Sequence, residues 1–210
     1  MITDTLKGLD PKADRSRILR EADEDTHRAV NLDPTDSEAW SWRAGALLGL
    51  ERWDAALEAN ATAIKLDPDN ADYLIDRAFI MNAIGRPAEA LPFIDRALAM
   101  DTTERAVGYA AGVACTSYLL LGQAERAVAM CEKINFGSHD WKLQMLLVAA
   151  YADHGDVQEA AAAKAELLRL LPAFTVAQAR ASDQPSHSEY AKLAEKYLYE
   201  GLRKAGIPEK

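Results

Sequence analysis

The chain is poor in the residues that most site chemistry requires. It holds two cysteines and four histidines in 210 residues. Cys115 and Cys131 fall inside apolar helical stretches. They lack the close pairing of a zinc site and the density of a secreted disulfide scaffold, so they read as small buried thiols. His27, His139, His154 and His187 are scattered, with no two at a helical ligand spacing, and the sequence asks for no metal and no cofactor. Its glycines stand singly, which leaves no phosphate-cradling loop. Lys and Arg never form a run, and 24 basic residues face 33 acidic ones for a net charge of −9. Nucleic-acid backbones and anionic membrane surfaces attract clustered basic side chains, so neither is an expected partner. The acidic surplus reads as solubility. Apolar stretches break at Gly, Asp or Gln before the ~18 residues a membrane span needs. Residues 1–9 alternate polar and apolar, without the apolar core of a secretion signal. With unpaired cysteines and no local targeting signal, the expected location is cytoplasmic.

What is present is a repeat. Ala22, Ala29, Leu32, Asp33 and Pro34 recur 34 residues on as Ala56, Ala63, Leu66, Asp67 and Pro68. With the same step Ala44, Ala56, Ala63 and Leu66 become Ala78, Ala90, Ala97 and Met100. The register then slips by three, carrying Gly85, Ala90 and Ala97 to Gly122, Ala127 and Ile134. The last step is 33, from Tyr118, Gly122 and Ala127 to Tyr151, Gly155 and Ala160, and Pro172 closes it.

This spacing predicts an all-α chain of four antiparallel helix pairs over 37–70, 71–104, 105–140 and 141–174. An orphan second-type helix near 17–32, within an N-terminal segment 1–36, precedes them. A linker over 175–186 and a capping helix within 187–210 follow. Small residues such as Ala44, Ala56 and Ala63 suit positions where helix axes approach closely. Gly85, Gly122 and Gly155 stand where a helix ends in the left-handed conformation. Pro87 follows at a helix start, where its missing donor costs nothing. A single pair cannot bury its own apolar stripe, so stacking into a right-handed solenoid is expected, first helices lining the concave face.

Over residues 17–174 the pattern resembles the tetratricopeptide repeat, W-x2-L-G-x2-Y then A-x3-F then P. Trp40, Ala44, Ala56, Ala63 and Pro68 match best. Arg43 departs from the usual leucine, Asn60 from the aromatic, and Thr102 and His139 from the closing proline. The C-terminal half, Leu146–Arg180 followed by Tyr197–Glu209 (YLYEGLRKAGIPE), is similar to the repeat regions of bacterial class III adenylate/guanylate cyclases and of related winged-helix regulators. That second resemblance implies a catalytic or DNA-binding domain elsewhere in a longer protein. The missing first helix before residue 17, where Asp10-Pro11 interrupts, leaves two expectations, a fragment of a longer protein or a first helix that was remodelled.

The fold implies ligands on the first helices, at Ser41, Gly45 and Leu48; Ile75, Phe79 and Asn82; Gly112, Thr116 and Leu119; Met145, Ala149 and Ala152. These residues are small or apolar and carry no carboxylate clamp of Lys and Asn, so a protein or peptide with an apolar segment, or a second copy of the chain, is the expected partner. Phe79, Leu48 and Met145 equally suit core between first helices, and the chain's own last helix could fill the groove. Ser186 with Glu189 suggests its capping box, and Tyr190, Leu193, Tyr197, Leu198 and Leu202 its apolar face. Ser37, Ser138 and Ser186 read as caps rather than nucleophiles. Asp140 beside His139 and Asp153 beside His154 read as solvated turn residues. Arg15, Arg17 and Arg20 are neutralised by Glu21, Asp23, Glu24 and Asp25. The expected function is a non-catalytic interaction scaffold, in one of three settings: a signalling protein of the cyclase type, a small-molecule or peptide sensor, or a free-standing adaptor.

Overall fold

A computed structural model describes residues 11–134, 140–182 and 187–210, with side chains from Arg17 onward. Ser138, His139 and Ser186 lie outside the described residues. Every regular element among the described residues is helical. The chain divides into two compact units, Met1–Pro68 and Asp69–Lys210.

The first unit contains α1 (Pro11–Leu32), α2 (Ser37–Gly49) and α3 (Trp53–Leu66). Helix α1 starts at Pro11, not near Arg17, because proline fits the first helical position. Ala44, Ala56 and Ala63 are buried where α2 packs on α3. The departure at Arg43 has a partner: its Nη1 donates to the Asp23 carboxylate at 2.5 Å and to the Asp23 carbonyl at 2.8 Å. Arg52 reaches the other Asp23 oxygen at 3.2 Å. Helix α1 is thus tied to the pair α2–α3 by charge where the repeat pattern would place a leucine.

The second unit holds α4 (Ala71–Ala83), α5 (Pro87–Met100), α6 (Glu104–Leu120), α7 (Ala124–Cys131), α8 (Trp141–His154), α9 (Val157–Leu170) and a short α10 (Val176–Ser182). Helix α10 occupies most of what the sequence suggests as a linker. A terminal helix follows, made of α11 (Ser188–Leu193), a π-helical stretch (Ala194–Tyr199) and α12 (Glu200–Lys204).

The caps are periodic. Asp36, Asn70, Thr103 and Asp140 each accept a backbone N–H from the first turn of α2, α4, α6 and α8. Ser37 is therefore the first helical residue and Asp36 the cap; either side chain can cap, and the backbone turn selects the aspartate. At the terminal helix the cap is His187, whose Nδ1 accepts from Glu189 N. Gly85, Gly122 and Gly155 take φ of 77°, 69° and 98°, closing α4, α6 and α8 in the left-handed region as expected. In the first pair that register belongs to Glu51, at φ 60°.

One expectation fails. Cys115 and Cys131 are joined in a disulfide, with Cα atoms 5.2 Å apart. They occupy the registers of Ala78 and Ile94, which face each other across a helix pair, and that approach brings the two sulfurs together. Spacing along the chain conceals this pairing, which only the repeat register brings out.

Candidate binding face

The first helices α4, α6 and α8 of the second unit pack side by side. Polar bonds lock α4 to α6. Asn82 Nδ2 donates to Val113 O at 3.0 Å, and Ser117 Oγ donates to Asn82 Oδ1 at 2.9 Å, all buried. Tyr109 Oη donates to Asp76 at 2.7 Å, and Arg105 Nη2 reaches both Asp72 oxygens at 3.0 and 3.2 Å. Burial, with the Asp76 charge behind it, raises the Tyr109 phenol above its ordinary range, so it stays a neutral donor to that carboxylate.

The predicted face separates into two kinds of surface. Leu119, Met145 and Ala149 belong to one apolar core with Leu198, Tyr199 and Leu202 of the terminal helix. Gly201 lies so close to α8 that a Cβ there would meet Ala149 O at 2.8 Å and Ala149 Cα at 3.0 Å. Tyr197 comes against Gly122, and Glu189 and Tyr190 against Gly85. The terminal helix thus runs from the end of α4 past the end of α6 and onto the middle of α8. It does more than cap the last pair.

Its far end is fixed as well. Lys164 Nζ donates to Ala205 O and Gly206 O at 3.0 and 2.7 Å, and Lys204 reaches Asp153 at 2.8 Å. Val176 N and Ala177 N of α10 donate to Pro208 O and Glu209 O. Hydrogen bonds from Arg203 and then Arg180 hold the Glu209 carboxyl below its ordinary range. Burying Leu198, Tyr199 and Leu202 contributes about 1.5–3 kcal/mol each, which makes this helix part of the core.

The other surface stays open. Phe79 is 48 % exposed although Ile75 and Asn82, on the same helix, are buried. It is therefore not core between first helices. Thr116 stands at the Phe79 register on α6 and is half-buried, as are Gly112 and Ala152. In the first unit Ser41 and Leu48 are half-buried, and Gly45 is open, with nothing within 4 Å of a Cβ built on it. Trp42, 64 % exposed beside Ser41, is an aromatic that the repeat register does not single out. Only its position next to a predicted face residue could have indicated it.

The residues considered for catalysis serve turns and ties. Asp140 caps α8, Asp153 takes Lys204, and His154 contacts Asp156 at 2.7 Å on the surface. No group of three His, Cys, Asp or Glu residues among those described could hold a metal ion. No helix among the described residues is long and apolar enough to cross a membrane.

No protein-family model matches the chain, and no curated protein sequence matches it. Solved structures do. PilW, a widely conserved type IV pilus biogenesis factor, is 23 % identical with a TM-score of 0.68, covering 91 % of this chain and 92 % of its own. YrrB, a TPR protein with an unusual peptide-binding site, is 20 % identical with a TM-score of 0.59, covering 86 % and 90 %. A thermophilic TPR protein of Thermus thermophilus, TTC0263, is 21 % identical with a TM-score of 0.57, covering 81 % and 87 %. None of these three is a cyclase or a winged-helix regulator. At these identities the likeness concerns the fold, and the fold is the tetratricopeptide helical repeat.

Proposed function

We propose that the chain is a non-catalytic protein-interaction scaffold that receives an apolar peptide segment on the open part of the α4–α6 face, with Phe79 as its anchor. The observation that carries this reading is the exposure of Phe79 on helices otherwise locked by buried polar bonds. An exposed aromatic on a rigid backing gives contact area at low cost in side-chain entropy. Thr116 and Gly112 leave room beside it for a backbone to approach. Peptide binding by YrrB supports the class of ligand, since that protein shares the fold. Attachment to a cyclase-type output domain rests on the resemblance of the C-terminal sequence alone.

The test is selection of peptides from a displayed random library against the full chain, followed by titration of the selected peptides. Phe79→Glu is expected to weaken binding at least about tenfold, or 1.4 kcal/mol, with the helical circular dichroism unchanged. Equal affinity for the variant and the parent chain overturns the reading.

A further inference from the structure

We infer that this chain is a substrate for an oxidising thiol–disulfide partner during folding, and that it works in a compartment where the Cys115–Cys131 bond persists rather than in a reducing cytosol. Three observations converge on it. Both cysteines are buried, at 0 and 1 % exposure, in the core cluster that also holds Leu119, Leu120, Val148 and Leu198. The bond crosses the pair with the shortest second helix: α7 has 8 residues, whereas α3, α5 and α9 have 14 each. Cys131 is the last residue of α7, so the bond sits where the other second helices continue for further turns. In the other pairs the same two registers hold Ala44 with Asn60, Ala78 with Ile94, and Val148 with Lys164, none of which can bond covalently.

The bond therefore replaces packing that α7 is too short to provide. It closes a loop across 16 residues, which removes freedom from the unfolded chain. Once the pair has closed, no reagent reaches the sulfurs, so oxidation belongs to the folding chain. One cysteine thiolate attacks the disulfide of the partner, forming a mixed disulfide and releasing one partner thiolate. The second cysteine thiolate attacks the chain's own sulfur in that mixed disulfide. The Cys115–Cys131 bond forms and the partner leaves as a dithiol, having taken up two electrons and the two cysteine protons. Such partners and the persistence of their products belong to oxidising compartments.

The test takes the full chain from its own cells, quenched in acid, then unfolded with a thiol-alkylating reagent. The expected product carries no alkyl group, and two after prior reduction. Reduction of the purified chain while it is unfolded, followed by refolding in reductant, is expected to lower its thermal midpoint by about 5–15 °C, while C115A/C131A melts at one temperature with or without reductant. Two alkyl groups without prior reduction overturn the inference. So does a midpoint of the parent chain that is the same after reduction in the unfolded state and refolding in reductant.

Discussion

The two units use one repeat grammar and finish it differently. In the first, α1 is bound to its neighbour through charge, with Asp23 taking Arg43 and Arg52, and the α2 face stays open around Gly45 and Trp42. In the second, the chain returns over its own first helices and fills the face of α8 with Leu198, Tyr199 and Leu202. The registers are equivalent, since Gly45, Phe79, Thr116 and Ala149 share one position in successive repeats. Whether that position is a surface or a core is decided by what lies over it. A repeat pattern fixes which residues share a face and leaves open whether the face is free.

The largest effect should come from emptying the closed face. Leu202 has no exposure, and Leu202→Ala is expected to cost the second unit about 2–5 kcal/mol in denaturant unfolding. Breaking the ionic tie of the first unit should cost less. Arg43→Ala is expected to remove about 1.5–3 kcal/mol, because its side chain and that of Asp23 are only 13 and 22 % exposed. A double-mutant cycle with Asp23→Ala separates the coupling from simple loss of packing.

Two glycines set the units against each other directly. Gly201→Ala presses a methyl group into the backbone of Ala149 and should cost about 1–3 kcal/mol. Gly45→Ala meets open space within a helix and should gain about 0.5–1 kcal/mol. Equal effects at the two sites would mean that the terminal helix does not press on α8. The smallest change is Glu51→Gly, expected to stabilise by up to about 1 kcal/mol by relieving the only non-glycine positive φ among the described residues. Thermal melts of the variant and parent chains read it.

Much of this is legible in the sequence, for identifiable reasons. Ala56, Ala90 and Ala127 are fully buried because only a small side chain fits between close helix axes, and size shows in a sequence. Gly85, Gly122 and Gly155 show themselves through the conformation that only glycine takes cheaply. The first cap falls one residue before Ser37, because neighbouring Asp36 and Ser37 are both good caps and the choice lies in the backbone. The candidate face is readable as a register and unreadable as a surface. Met145 and Ala149 have the composition of an apolar groove, and both lie in the core shared with the terminal helix, Gly201 closing on Ala149. The disulfide stays hidden for a related reason, since it depends on two registers meeting across α6 and α7.

The central claim is that the terminal helix is a permanent part of the second unit's core and not a displaceable occupant of its face. Native-state amide hydrogen exchange on the full chain tests it most directly. The account predicts that amides of Leu198–Lys204 open with the same free energy as those in the middle of α8. Protection in the terminal helix at least about tenfold weaker than in α8, or 1.4 kcal/mol, would contradict it.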